Sequence, residues 1–286
     1  MDAKTGLEIA LRGGVIPALA ALVLFVLISG LWPSGVARRY LCGVAFALGA
    51  FIGFVLLPAT KTLAPAQFWE WIVYLAILAA FLSGLTRAEG VTRGERWTAV
   101  YVFAPVAAWL IVPKWPELVP AWPIQWAGFS LAIMLLTALL HPLPQLLPGR
   151  AFPWWLMLVM AAISVLLFDQ SETFGVLAAL PAGALAGCAA AAIFASEPPD
   201  WRSFVLPYVL AAVGYAYTGA VYPPEPQWLM LLVPFAPVVL WICCFGPLAR
   251  LSGARAVVVQ AACVIVPLVI IAALLRANTN GAEGGW

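Results

Sequence analysis

The chain has 286 residues, of which 65% are hydrophobic and 9% charged, and its net charge is +2. A water-soluble domain of this composition would lack the polar surface needed to face solvent, so the lipid bilayer is the expected partner of most of the chain. The 14 Lys and Arg residues form no run able to track a phosphate backbone, which argues against nucleic-acid binding.

Ten apolar stretches predict helices over residues 14–31, 41–57, 68–85, 97–112, 122–140, 153–168, 174–194, 203–221, 228–246 and 256–275. The runs are continuous rather than alternating, and a segment in lipid must satisfy its backbone internally, so helices are expected rather than barrel strands. The expected fold is an all-α, polytopic transmembrane helix bundle forming a single integral membrane domain over 1–286, placed in the cell membrane as a multi-pass protein. Met1 to Arg12 is mixed in charge and nine further spans follow the first, so residues 14–31 read as a helix rather than a cleaved signal. Spans 4 and 6 have about 16 residues, near 24 Å at a rise of about 1.5 Å, short for a hydrocarbon core about 30 Å thick.

An even number of spans puts both termini on one face. That face carries Lys4, Arg12, Lys61, Lys114 and Arg276, five basic residues. The opposite links carry nine: Arg38, Arg39, Arg87, Arg93, Arg96, Arg150, Arg202, Arg250 and Arg255. The excess of basic residues places the arginine-rich face inside and both termini outside. Arg39, Arg96, Arg150, Arg202 and Arg255 recur at separations of 57, 54, 52 and 53, a helical hairpin at each step. Trp69, Trp71, Trp115, Trp122 and Trp228 gather at the outer boundary and Trp32, Trp97, Trp154, Trp155 and Trp201 at the inner one, as aromatic belts.

Some features recur across the halves 1–148 and 149–286. Span 2 contains Gly49-x-x-x-Gly53 and span 7 Gly183-x-x-x-Gly187, small-residue seams for close helix packing, offset by 134. Pro105 interrupts span 4 and Pro234 and Pro237 interrupt span 9, offset by 129 and 132; Pro17 matches Pro153 at 136. The expectation is a 5+5 inverted repeat, since five spans per half turn the second half upside down. Proline withdraws a backbone hydrogen bond, so the proline-broken helices would free carbonyls toward a midplane site.

Span 8 carries a polar stripe of Tyr208, Tyr215, Thr218 and Tyr222 on one helical face, with two readings: hydroxyls lining a path for a small uncharged solute, or ordinary interhelical bonding. No Asp, Glu, Lys, Arg or His sits near the middle of a span, which argues against proton-coupled transport. Asp169 and Glu172 form an acidic outer turn whose Ser171 or Thr173 would cap span 7. The link from Thr86 to Trp97 reads as a solvated loop touching headgroups.

Catalytic, cofactor and metal assignments find no residues to rest on. The only histidine is His141, the only aspartates are Asp2, Asp169 and Asp200, and the five cysteines lie inside apolar spans without a Cys-x-x-Cys. Metalloprotease, bis-histidine haem and base-activated nucleophile sites cannot be assembled from these. The sequence therefore leads to a small permease or channel-like carrier for a neutral or weakly polar solute. The alternative is a non-catalytic membrane subunit or scaffold that packs against a membrane protein partner.

Overall fold

A computed structural model describes residues 11–31, 35–57, 64–87, 91–116, 120–147, 151–195, 199–223 and 226–283, with the side chains of 31, 35–39 and 279–283 excepted. Lys4, Trp32, Lys61, Arg150 and the side chains of Arg38 and Arg39, used in the charge and belt readings, lie outside the described residues. Among the described residues every regular element is helical. The elements are α1 (Ile16–Leu31), α2 (Gly35–Val55), α3 (Trp71–Leu85), α4 (Arg93–Ile111), α5 (Trp122–Leu140), α6 (Phe152–Phe168), α7 (Glu172–Phe194), α8 (Val205–Val221), a 3-10 helix (Trp228–Cys244) and α9 (Gly253–Glu283). Six segments are long and apolar enough to cross a membrane: Leu11–Gly30, Phe68–Leu85, Trp122–Leu146, Glu172–Phe194, Trp201–Val221 and Gly253–Asn278.

Local chemistry sets the ends of several helices. Thr92 caps α4 with a reciprocal box, its hydroxyl accepting from Glu95 N at 3.2 Å while the Glu95 carboxylate accepts from Thr92 N at 2.7 Å. Proline near the first helical position starts α5 and α6, where its missing N–H costs nothing. Between the 3-10 helix and α9 the chain reverses through Gly246 and Gly253, each at φ 60°, a conformation that glycine adopts without a Cβ penalty.

Helix α8 is the hub. It packs on α3, the 3-10 helix and α5, while α1, α2, α6 and α7 form an adjoining layer and α9 lies outside against the 3-10 helix and α6. In that layer α1 is held from two sides. A Cβ on Gly49 would approach Ala21 Cβ to 2.6 Å, and one on Gly53 would reach Pro17. From the other side, a Cβ on Gly183 or Gly187 would collide with the carbonyl oxygens of Gly14 and Ala18. Both glycine seams therefore close on the same helix. In a 5+5 symmetric bundle the span 7 seam would face α6, the counterpart of α1, so the matching spacing does not express that symmetry here.

The segment 228–244 departs most from the reading of the sequence. Instead of an α-helix broken by prolines it is one continuous 3-10 helix of 17 residues, with Pro234 and Pro237 inside it. Its buried residues Met230, Val233 and Ala236, then Pro237, Leu240 and Cys243, repeat at threes, the period of a helix with about 3.0 residues per turn. At about 2.0 Å per residue such a helix is about 34 Å long, so stretching compensates for few residues. Pro105 likewise sits within a continuous α4, and the indole N–H of Trp126 donates to its carbonyl at 2.9 Å.

Several tryptophans do more than mark a boundary. Trp122 donates to Val112 O at 3.2 Å, Trp241 to Leu139 O at 2.9 Å, and Trp155 to Gln260 Oε1 at 2.9 Å. Each bond ties one helix to another in surroundings where an unsatisfied N–H is costly.

Candidate functional site

The most highly charged cluster forms where α3 ends, α4 begins, α5 ends and α8 begins, at the arginine-rich end of the bundle. Helix α3 stops at Thr86, whose N–H still bonds Leu82 O at 3.0 Å, and Arg87 follows at the carboxyl end, where a cation complements the helix dipole. Its guanidinium crosses to the Asp200 carboxylate, 113 residues away in sequence. Asp200 precedes the 3-10 turn Trp201–Phe204 and caps it, accepting from Arg202 N at 3.2 Å. The Arg202 side chain folds back on the same carboxylate, with Nε at 3.0 Å and Nη2 at 3.2 Å.

Neighbouring helices close the cluster. Arg96 Nε donates to Thr86 O at 3.0 Å and so draws the start of α4 onto the end of α3. Trp97 meets the His141 ring edge-on at 6.0 Å. Ser203 Oγ accepts from Gly43 N at 3.1 Å and donates to Asp200 O at 3.0 Å, which pins α2 to the same turn. A Cβ on Gly43 would collide with the Ser203 carbonyl, so this approach requires glycine.

Arg87, Arg96, Arg202, Thr137 and His141 line a pocket of about 20 Å³. That volume admits about one water-sized group. The Arg87 side chain is 6% exposed, and its Nη2 is buried without a hydrogen-bond partner among the described residues. Thr137 Oγ1, of another lining residue, is buried and without a partner among the described residues too. Three arginines line the recess, and two of them, Arg87 and Arg202, share the one carboxylate of Asp200. Burial lowers the Arg87 pKa to about 10, against the raising effect of Asp200, so the group stays charged at neutral pH. Burial pushes the Asp200 carboxyl up, but the Arg202 hydrogen bonds and the Arg87 charge outweigh it and hold it below its ordinary value. The pocket is thus a positively charged, donor-lined recess with two unmet bonds.

The candidate residues read from the sequence lie elsewhere. Tyr208 and Tyr215 are buried on α8, with hydroxyls that have no partner among the described residues. Thr218 donates to its own helix at Gly214 O, 3.0 Å away. Tyr222 leaves the stripe: it is exposed, and its ring packs edge-on against Phe174 at 4.5 Å. Tyr217, on another face of α8, carries the interhelical bond instead, donating to Gln125 Oε1 on α5. Pro234 and Pro237 are buried in the 3-10 helix. Asp169 and Glu172 are exposed in the turn between α6 and α7, where Ser171 occupies the cap position without a side-chain bond.

The link from Thr86 departs from the solvated loop that its charge predicts, because Arg87 is buried. The cluster escapes sequence reasoning since its members come from links far apart in the chain. The one signal available was that the links holding Arg87, Arg96 and Arg202 share a face. Among the described residues no group of three His, Cys, Asp or Glu side chains is placed to hold a metal. No protein family, curated protein or solved structure matches the chain.

Proposed function

We propose that this chain is a multi-pass membrane protein that binds an oxyanion, the phosphate or carboxylate of its ligand, in the arginine pocket. The observation that carries the reading is that Arg87 Nη2 and Thr137 Oγ1, both buried without partners among the described residues, belong to side chains lining the same recess. A buried guanidinium that lacks one of its bonds has paid desolvation without full return, and an anionic oxygen supplies the missing acceptor. The recess admits about one oxygen, so the remainder of the ligand would stay at the headgroup level. The shorter apolar segments Tyr40–Val55, Phe152–Phe168 and Trp228–Cys244, with Arg93–Ile111, bring the six longer helices to ten spans. With the arginine-rich end inside, the termini lie outside and the pocket opens toward the cytoplasmic headgroups.

Binding is tested on the purified protein with inorganic phosphate and acetate in detergent, and separately in nanodiscs of phosphatidylglycerol or phosphatidylcholine. Saturable binding of phosphate or acetate identifies a soluble oxyanion. Retention of phosphatidylglycerol alone identifies a headgroup. Arg87→Met and Thr137→Val should each weaken either interaction about tenfold, the worth of one hydrogen bond to a charged group. Absence of binding in all arms, or binding indifferent to both variants, sinks the reading.

The neutral-solute carrier retains one specific support, the unpartnered hydroxyls of Tyr208 and Tyr215 in the hub helix. A solute passing beside α8 would supply the bonds they lack. Uptake of glycerol or urea into proteoliposomes, lost on Tyr215→Phe, would favour it over the oxyanion reading. The 5+5 repeat forms no part of either proposal.

A further inference from the structure

We propose that Cys243 and Cys263 form a dithiol site that closes to a disulfide and fastens α9 to the bundle. The two Sγ atoms lie 3.6 Å apart, on the 3-10 helix and on α9 respectively. A disulfide needs about 2.05 Å, so closure brings the two sulfurs about 1.5 Å nearer. Both residues are free thiols, Cys243 at 5% exposure and Cys263 half-buried. Cys244 is turned away and donates to Leu240 O of its own helix at 3.7 Å, so it does not compete for the pair. This site is independent of the arginine pocket, which involves neither element.

Position decides the oxidant. Cys263 is flanked on α9 by Ile265 and Val266, which are exposed on the outside of the bundle and face hydrocarbon if α9 crosses the membrane. A lipid-soluble quinone reaches this flank more readily than an oxidant dissolved in water. In the reaction both S–H bonds break, one S–S bond forms, and two protons and two electrons pass to the quinone, giving the quinol. Before closure α9 is attached chiefly through the 3-10 helix, α6 and the Trp155–Gln260 bond. Closure adds a covalent tie at the least buried of the six candidate spans, so the oxidised protein differs from the reduced one in how freely α9 separates from the bundle.

The full chain in lipid nanodiscs is treated with duroquinone, whose substituted ring resists thiol addition, and the thiols are then counted with a maleimide after denaturation. The expected result is a fall from five labelled cysteines to three, and a Cys243–Cys263 cross-linked peptide lighter by two hydrogens, restored by reductant. Cys263→Ser should abolish the change and Cys244→Ser should leave it intact. Hydrogen exchange along α9 should slow on oxidation in the wild type only. Five labelled thiols after treatment, a linkage through Cys244, a linkage between copies, or unchanged exchange in the cross-linked protein overturns the proposal.

Discussion

Helices α8 and α9 solve opposite problems. Every residue of α8 is buried, whereas only 17% of the most apolar 18-residue stretch of Gly253–Asn278 is, yet that stretch is the more apolar of the two. In water that order would be reversed. In lipid, hydrocarbon solvates an aliphatic helix as well as other helices do, so apolarity does not draw a helix inward. Small residues that permit close approach, and polar groups that need partners, do. Helix α8 has both: Gly214 against Ile72, Gly219 against Leu167 and Met230, and a hydrogen bond from Tyr217 to Gln125. Helix α9 presents Val258, Val266, Val269 and Ile270 outward and holds on through Gln260 and a thiol contact.

Breaking the ion pairs at the head of α8 should have the largest effect. Asp200→Asn leaves Arg87 buried with its partner neutral, and a loss of about 3 kcal/mol is expected in mixed-micelle unfolding, the low end because Asp200 is 30% exposed. Acid should reproduce this. The Asp200 carboxyl titrates below its ordinary value of 3.8, so its contribution is complete above that pH and is lost as the pH falls through the lower folded value. The charged groups bonded to it are Arg87 and Arg202. A wild type and variant with the same acid profile would contradict the assignment.

Overpacking comes next. Ala212 is 0% exposed in α8, and Ala212→Leu should cost about 2 kcal/mol. Val269→Leu on the 60% exposed flank of α9 should stay within about 0.5 kcal/mol in the same assay. Equal costs at the two positions would erase the distinction between hub and rim.

Gln260→Leu tests what holds α9. It removes the acceptor of the Trp155 indole, and about 1 kcal/mol is expected, with a blue-shifted indole emission as the second readout. Smallest is Tyr208→Phe, which deletes a buried hydroxyl without a partner and should be neutral or stabilise by less than about 1 kcal/mol. A clear destabilisation would mean that the hydroxyl has a bonded partner, such as an ordered water.

Much of the architecture was legible from local pattern. The apolar runs mark the helices and Pro153 marks the start of α6, whereas the Thr92–Glu95 box, which begins α4 at Arg93, lies in the link that reads as a loop. Two prolines three apart misled, because they fit a 3-10 helix as a pair on one face and need not break it. The candidate site was not legible. Arg87, Arg96 and Arg202 read singly as interfacial cations, and His141 as an isolated ring. Only the convergence of four helix ends makes one pocket of them.

The sequence by itself determined the all-helical class, the six segments apolar enough to cross a membrane and the near absence of charge from their middles, because those follow from the free energy of placing each residue type in hydrocarbon. Tertiary structure decided which helix is the hub, that both glycine seams grip α1, that Arg87 is buried beside Asp200, and that two of five cysteines touch. Those outcomes rest on contacts between residues far apart in the chain. Hydrophobicity is nearly blind to them, since in a membrane the inside and the outside of a bundle are equally apolar.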